Sequence, residues 1–444
     1  MCSLILLIPL PRLTTNFFMQ TFMKRTVFRP AVVNAGMLFT GTAVARVLSA
    51  LVIFIVARRL GLEQFGVYTA AWSLAKLTSF TFSLGLDSWL LRGAQGNETY
   101  VGRSTGSALV LKAGLGTLWL VLIIALAPYL SQETFPTSLL ILSSLSVWLE
   151  EIGTTALTSF KAALRNKVTV WLIILSQLML LILTIGLAGT GSESPGAYLV
   201  VRAVATGIAT LVSLFFVFRY FQIQLHLPDL PIALRETFSF GISHGLSAIY
   251  GKADITIIAY FLGSTATGIY SPASTLMATL FLVPTAVYEV MLPVFSRMRV
   301  AGERQIVKKS FQLVLLSTGL GIVLGVGLAV IAYPLVWLLY SPEFLASAPV
   351  LVILSNILLF KCISFALAAI LAAVGWQGKR VGIQLATSVL NIGLNLLVVH
   401  SYGIVGVAYV YVLTEFLLTV GYLSLLLIWQ KEHLMLSVWH TAKL

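Results

Sequence analysis

Long apolar runs with almost no charged residues are the feature that most restricts what this chain can fold into. Residues 121–127 and 178–185 are typical, and neither shows the polar–apolar alternation of a strand in a transmembrane barrel. Charged residues make up 10% of the sequence, whereas soluble domains carry about 25%. Because a helix satisfies its own backbone hydrogen bonds in lipid, the sequence predicts an all-α polytopic membrane protein.

Apolar windows between charged or turn-forming residues indicate where the chain crosses the bilayer, at roughly 20 residues per span. The sequence predicts twelve spans, at 34–57, 66–91, 104–128, 137–160, 168–189, 196–218, 237–261, 268–295, 310–339, 346–373, 381–400 and 404–429. The longest connection, 219–236, contains Pro228 and Pro231 and separates an N-lobe over 34–218 from a C-lobe over 237–430. Residues 1–33 and 431–444 are predicted cytoplasmic segments, and Met23 is a candidate translation start.

The positions of lysine and arginine predict the orientation of the spans. With a cytoplasmic N-terminus, most of the 28 Lys and Arg residues fall on the cytoplasmic side, and only Arg58 and Arg59 fall at an outer end. Such a bias in short loops is the positive-inside signal, so both termini are predicted to be cytoplasmic. The net charge of +13 therefore indicates topology and contact with anionic membrane lipids, and no nucleic-acid partner is expected.

A short pattern occurs twice at a constant spacing of 202 residues. The matching positions are Leu60, Gly61, Gly66 and Tyr68 in the first copy and Leu262, Gly263, Gly268 and Tyr270 in the second. Both copies follow a predicted span on the outer side, and an even number of spans separates them, as in parallel transporter repeats. The turn at 161–167 is more loosely similar to the turn at 373–379. The sequence thus predicts about twelve transmembrane helices in two six-helix lobes, related as a parallel internal repeat around a central cavity.

The segments that carry this pattern also carry a family resemblance. Residues 56–74, 252–277 and 368–413 resemble the Wzx-type polysaccharide-biosynthesis flippases of the multidrug/oligosaccharidyl-lipid/polysaccharide exporter superfamily. The resemblance implies a flippase in the cytoplasmic (inner) membrane that carries a lipid-linked, polyprenyl-pyrophosphate oligosaccharide by alternating access, for surface polysaccharide biosynthesis. It implies no enzymatic step, cofactor or metal. The partners that the resemblance implies are membrane lipids and other membrane proteins of polysaccharide assembly.

Charged residues inside the spans are the candidate functional residues, because a charge at the bilayer centre costs at least about 2.5–3.5 kcal/mol. Arg46, Lys76, Lys252, Asp254 and Lys361 are predicted to line the cavity, where the cations suit the pyrophosphate of the implied cargo. The alternative is ion pairing between helices, such as Arg46 or Lys76 with Asp254. Lys252 and Asp254 lie about 200° apart around a helix, so they are expected to point in different directions.

Two further carboxylates are assigned to gating or coupling. Glu289 is expected to close a cytoplasmic gate against a basic loop, and Glu415 is a candidate coupling residue. Glu150 or Glu151 is expected to meet Lys112, whereas Arg202 is expected to reach the membrane interface. The alternative function is a cation- or proton-coupled multidrug exporter of the same superfamily. A membrane enzyme is disfavoured because the outer loops are short, and no Walker motif indicates an ATP-driven transporter.

Overall fold

The computed structural model describes residues 25–94, 98–130, 132–224, 229–301 and 303–441. Throughout these residues the secondary structure is helical, without a strand, which confirms the predicted all-α class. The candidate start at Met23 and the linker residue Pro228 lie outside the described ranges. The helices are α1 (Arg25–Thr78), α2 (Phe80–Ser83), α3 (Leu86–Ala94), α4 (Glu98–Leu130), α5 (Thr137–Ala162), α6 (Asn166–Gly189), α7 (Pro195–Tyr220), α8 (Asp229–Leu280), α9 (Leu282–Ala301), α10 (Glu303–Leu339), a 3₁₀ turn (Pro342–Ala346), α11 (Ser347–Ser355), α12 (Ile357–Ala373) and α13 (Gln377–Thr441).

Nine helical stretches within the described ranges are long and apolar enough to cross a membrane. Three of them, Gly36–Ser83, Gly251–Arg299 and Gln377–Glu432, contain 48, 49 and 56 residues, at least twice the roughly 20 that one crossing needs. Each continues through a predicted outer loop, so the observed helices are fewer than the predicted spans. The exact number of twelve crossings therefore stays a prediction.

A glycine interrupts each of these three long helices. Gly61 in α1 has φ 71° and ψ 177°, and Gly263 in α8 has φ 86° and ψ −173°. These positive φ angles favour glycine, because it has no Cβ to clash with the backbone. The two residues are equivalent positions of the sequence repeat, so the repeat marks a shared kink. Gly403 in α13, with φ 56°, forms the third kink.

The two lobes meet where the repeated segments of α1 and α8 cross. A Cβ on Gly66 would overlap the backbone carbonyl oxygen of Ser264, and a Cβ on Gly268 would overlap that of Leu62. Gly66 corresponds to Gly268 and Leu62 to Ser264 at the spacing of the repeat. The two contacts are therefore related by a pseudo-twofold axis, which confirms the predicted relation between the lobes.

The axis passes between Thr69 and Ser271, which are also equivalent, and their hydroxyl oxygens are 3.1 Å apart. We call Gly66, Thr69, Gly268 and Ser271 the glycine seam. Beside the seam, the Arg58 guanidinium of the N-lobe donates hydrogen bonds to the last carbonyls of α10 in the C-lobe. A cation is favoured there because helix C-termini carry unsatisfied carbonyls and partial negative charge. This end of the molecule is thus closed by backbone-to-backbone contact.

The second, looser sequence similarity also corresponds to a repeated structure. At the α5–α6 and α12–α13 turns, the N–H groups of Arg165 and Trp376 each donate to the carbonyl five residues earlier, both over 2.8 Å. The residue before each donor has a positive φ, 58° for Leu164 and 87° for Gly375. The N-lobe thus has a leucine where the equivalent C-lobe turn has glycine.

Replacing Leu164 with glycine is expected to stabilise the protein by about 1 kcal/mol, because a left-handed conformation costs an L-residue roughly 1–2 kcal/mol. The leucine is 65% exposed, so little packing is lost. Thermal unfolding of the detergent-purified protein measures the change, and Gly375→Ala is the reciprocal variant, expected to destabilise. A lower unfolding temperature for Leu164→Gly would contradict this expectation.

Helix ends also extend into segments that the sequence assigns to loops. Helix α8 begins at Asp229, inside the linker predicted over 219–236, and α13 continues to Thr441, through most of the tail predicted over 431–444. The lobe boundaries and the cytoplasmic placement of these segments stay predictions.

Candidate functional site

A cluster of charged residues joins α1 to α5 in the N-lobe. The Lys76 ammonium lies 3.1 Å from a carboxylate oxygen of Glu150 and 3.3 Å from one of Glu151. Lys76 therefore has partners other than the Asp254 considered from the sequence. Its charge is balanced inside the N-lobe, so it is less available to a ligand than the sequence predicts.

Lys112 on α4 is the most enclosed member of this cluster. Its side chain is fully buried, and its ammonium lies 2.8 Å from Asp87 and 3.4 Å from Glu151. Asp87 also accepts a hydrogen bond of 2.8 Å from the Thr155 hydroxyl. The expectation that one of two adjacent glutamates meets Lys112 is confirmed for Glu151. Four helices are tied together here by groups whose separation would leave buried charges unpaired.

Three other cations in the spans form no ion pair with a described residue. Arg46 is exposed on α1, one helical turn from Ser49, which lines an N-lobe cavity of about 230 Å³. Arg202 lines the same cavity, with its guanidinium 3.7 Å from the centre of the Trp72 ring and 3.4 Å from the Tyr68 hydroxyl. Arg202 thus packs inside the N-lobe, and its position relative to the membrane interface stays a prediction.

Lys252 is the third of these cations, and it lies on α8 in the C-lobe. It is partly buried, and the charges that act on it include Lys76, Arg202 and Glu150, all in the N-lobe. Lys252 thus belongs to the region where the two lobes face each other. This is the position in which a cation can meet an anionic ligand held between the lobes.

Asp254, two residues from Lys252, turns into the C-lobe instead. It accepts a hydrogen bond of 2.7 Å from the Asn395 amide and one of 3.2 Å from the Tyr270 hydroxyl. Asn395 in turn donates to Asn391 over 3.2 Å. The two-residue spacing predicts this separation of Lys252 from Asp254. The asparagine side chains therefore brace Asp254 between α8 and α13.

Lys361 on α12 and Glu415 on α13 form a close ion pair. Their nitrogen and oxygen atoms are 2.6 Å apart, Glu415 is fully buried, and Lys361 is 13% exposed. The Lys361 ammonium also lies 5.4 Å from the centre of the Phe281 ring. The predicted cavity residue and the predicted coupling residue thus neutralise each other within the C-lobe.

The predicted gate residue, Glu289, lies exposed on α9. Its charge acts on Lys161, at the end of α5 in the opposite lobe, on the side predicted to be cytoplasmic. Lys161 belongs to the basic turn at 161–167, the kind of partner that the sequence predicts for it. A gating role for Glu289 stays a prediction.

The structure also identifies functional candidates that sequence reasoning missed. Lys112 was considered only as an ion-pair partner, because its position within a predicted span gave no indication of complete burial. Arg202 was set aside because it lies close to the start of its helix. For Arg202 the aromatic residues Tyr68 and Trp72 were a usable signal, since arginine packs readily over aromatic faces. Arg380, at the start of α13, was not singled out in the sequence, although it lines a C-lobe cavity of about 420 Å³.

Comparison with known proteins places this arrangement in a family. Residues 55–349 match the family model described as polysaccharide biosynthesis protein, which is more than half of the chain. A search of curated proteins gave no match.

Three solved structures share the fold. The chain is similar to the lipid II flippase MurJ in an inward closed conformation, with TM-score 0.67 and 17% identity over 88% of this chain and 87% of that chain. It is similar to an inward-facing multidrug resistance MATE family transporter of the MOP superfamily, with TM-score 0.63 and 15% identity over 85% and 93% of the chains. A MOP superfamily transporter from Pyrococcus furiosus, described as having a binding pocket of reversed polarity, gives TM-score 0.59 and 13% identity over 89% and 94%.

The family match and the shared fold agree with the two-lobed repeat, the apolar helices and the charged groups between the lobes. The protein is a multi-pass membrane protein that shares its fold with the MurJ and MATE structures, and it belongs to the polysaccharide biosynthesis protein family.

Proposed function

We propose that the protein is a flippase that moves a lipid-linked, polyprenyl-pyrophosphate oligosaccharide across the cytoplasmic membrane by alternating access. The cargo passes from the cytoplasmic to the outer leaflet for surface polysaccharide biosynthesis, and no catalytic step is involved. The family match supports a role in polysaccharide synthesis, and the likeness to a lipid II flippase supports transport of a lipid-linked cargo.

The distribution of unpaired charge is the observation that carries this proposal. In the described spans the acids Asp87, Glu150, Glu151 and Glu415 are each paired with a lysine. Two others have no ion pair with a described residue: Asp254 is held by hydrogen bonds inside the C-lobe, and Glu289 is exposed on α9. Arg46, Arg202 and Lys252 form no ion pair with a described residue, and Lys252 lies within electrostatic range of charges in the N-lobe. Because Asp254 is enclosed within the C-lobe, the charge offered to a ligand at Lys252 is positive, which attracts a pyrophosphate and repels a cationic drug. Arginine suits phosphate because its donors form a planar fork.

Alternating access requires that the lobes separate at one end while they close at the other. The glycine seam closes the end that the orientation assigns to the outer side, and Glu289 with Lys161 lies toward the cytoplasmic end. The cargo's sugar and pyrophosphate would cross between the lobes, and its lipid chain would stay in the bilayer. The protein's termini are then both cytoplasmic.

A cation- or proton-coupled multidrug exporter is the second candidate. It is favoured by Asp254, which is buried and accepts hydrogen bonds but forms no ion pair with a described residue. A buried carboxylate of this kind can bind a coupling ion. The likeness to MATE transporters is consistent with this candidate.

Flipping assays on Arg46→Ala and Lys252→Ala test the proposed function. Each substitution removes a charge-assisted contact to phosphate, worth about 1.5–3 kcal/mol, so transport is expected to slow at least about tenfold. The full chain is reconstituted in vesicles, and the movement of a polyprenyl-pyrophosphate oligosaccharide between leaflets is measured. Lys252→Arg, which keeps the positive charge, is expected to retain most of the activity.

Lys308→Ala is the matched control, because Lys308 is an exposed lysine near the start of α10. If Arg46→Ala and Lys252→Ala both transport at the normal rate while inserted normally, the cations do not handle the cargo. Transport of cationic drugs without flipping of the lipid-linked oligosaccharide would favour the exporter.

A further inference from the structure

The C-lobe contains a cavity of about 420 Å³, within the range of about 300–1,000 Å³ that is typical of small-ligand sites. It lies among α8, α9, α12 and α13. Five aromatic rings form much of its wall, those of Phe281, Tyr288, Phe365, Tyr411 and Tyr422. The rings of Tyr288 and Phe365 meet edge to face, with centres 6.3 Å apart. The cavity thus presents flat apolar faces at several angles.

Polar groups are interspersed between these rings. Lys361, Ser364, Arg380 and Gln384 all line the cavity. The charge of Lys361 is balanced by Glu415, so this lysine offers N–H donors with little net charge. Arg380 lies where α13 begins, and its Nε atom has no hydrogen-bond partner among the described residues. The cavity therefore combines aromatic faces with hydrogen-bonding groups, and most of it is close to neutral.

The cavity reaches the residue that precedes Lys252 on α8. Gly251 lines it, and the next residue, Lys252, is the one on which the N-lobe charges act. A Cβ on Gly251 would have no heavy atom within 4 Å, so the space at this position is open. A ligand whose anionic group lies at Lys252 can therefore extend an attached group past Gly251 into the cavity.

We infer that this cavity binds the sugar rings next to the pyrophosphate of the lipid-linked cargo, an inference that rests on the proposed function. A pyranose ring has an apolar C–H face that packs on aromatic rings, and its hydroxyl groups lie at the ring edge. Burial against aromatic rings provides affinity, and the amide, hydroxyl and amine groups between them provide orientation. The pyrophosphate stays outside, at Lys252.

Other parts of the cargo fit this cavity less well. A lipid chain gains nothing from Gln384 and Ser364, whose polar groups would lose hydrogen bonds to water against it. A second anionic group would require several unpaired cations along the wall, but Glu415 neutralises Lys361 and leaves Arg380 as the one lining cation without an ion pair to a described residue. A neutral group with many hydroxyls matches both the aromatic and the polar lining.

Binding measurements with carriers that differ only in their sugar test this assignment. The full-length protein in detergent is titrated with polyprenyl pyrophosphate that carries no sugar, one hexose, one N-acetylhexosamine or a trisaccharide. At least one sugar-bearing carrier is expected to bind about tenfold more tightly than the bare carrier. Phe365→Leu and Tyr288→Leu are expected to reduce this gain at least threefold and to leave affinity for the bare carrier unchanged. Both rings are only partly buried, so the variants retain most of the core packing.

Gly251→Leu provides a second variant, which narrows the opening without removing any lining group. It is expected to abolish the gain from the sugar, whereas Gly251→Ala fits the open space and is expected to keep it. Tyr409→Leu and Phe416→Leu are matched controls, because these aromatic residues of α13 are 60% and 45% exposed and lie outside the cavity.

The two levels of the proposal fail in different ways. If no carrier binds, with or without sugar, the proposed flippase function is wrong. If the bare carrier binds and no sugar improves its affinity, or if the cavity variants keep the full gain, the sugar does not occupy this cavity. A gain that falls equally in the Tyr409→Leu and Phe416→Leu controls would also overturn the assignment.

Discussion

A Thr69→Cys, Ser271→Cys double variant is expected to stop transporting its cargo when it is oxidised and to resume transport when it is reduced. The hydroxyl oxygens of these residues are 3.1 Å apart, so cysteines there are close enough to form a disulfide. The bond would join the lobes across the glycine seam. Because alternating access requires this end to open, transport should fall to the background level. The flipping assay measures the rate before and after a reducing agent is added.

The experiment uses a protein in which both natural cysteines are replaced, by Cys2→Ser and Cys362→Ala. Each single-cysteine variant is a control and should be insensitive to oxidation. Gly268→Ala, added to the double variant, should slow disulfide formation, because its Cβ would overlap the Leu62 carbonyl and keep the lobes apart. Gly319→Ala is the matched glycine control, since a Cβ at Gly319 meets nothing within 4 Å. Unchanged transport by the fully cross-linked protein would show that the lobes need not separate at the seam.

Replacing Lys112 with methionine is expected to destabilise the protein by about 3–5 kcal/mol, the cost of leaving a buried ion pair without one partner. Lys112 is fully buried, and Asp87 and Glu151 would lose the ammonium between them. Lys76 still pairs with Glu151, so most of the unpaired charge falls on Asp87. Thermal unfolding in detergent reports the loss, with Lys308→Met as the exposed control.

A double-mutant cycle separates this electrostatic effect from lost packing. Asp87→Asn removes the unpaired charge, so the Lys112→Met, Asp87→Asn double variant should be more stable than Lys112→Met alone, or at least less destabilised than the sum of the single variants. Strictly additive losses would mean that the pair contributes no coupling energy, and the cluster would then stabilise through packing only.

The fold was accessible from the sequence because the membrane imposes simple constraints. Apolar runs of sufficient length predict helices, and the pattern around Gly61 and Gly263 predicts the repeat. That pattern was visible because backbone geometry requires glycine at these positions, whereas contacts between side chains tolerate substitution. The number of helices was harder to predict, since a glycine kink bends a helix without ending it. Helix α1 therefore covers the first predicted span and the first half of the second.

The site was only partly accessible, because a sequence gives the span and face of a residue but not the neighbouring helix. Lys76 was recognised as a buried charge, yet its glutamate partners on α5 depend on how the helices pack. For Arg202 the distance from the helix end was the criterion, and it gave no indication that Trp72 packs against the guanidinium inside the N-lobe. The separation of Lys252 from Asp254 was predicted correctly, since it follows from helix geometry alone.

The pseudo-twofold axis at the glycine seam gives this single chain an interface like that of a homodimer. In an isologous interface each contact occurs twice. If one residue contacts the equivalent of a second residue, the second residue contacts the equivalent of the first. Gly66 and Gly268 satisfy this condition at the spacing of the repeat, as do Thr69 and Ser271. A substitution in one lobe alters only one of the two copies, unlike a substitution in a true homodimer. The two halves of this surface can therefore diverge in sequence, as Thr69 and Ser271 already have, provided that each change keeps the contact across the axis.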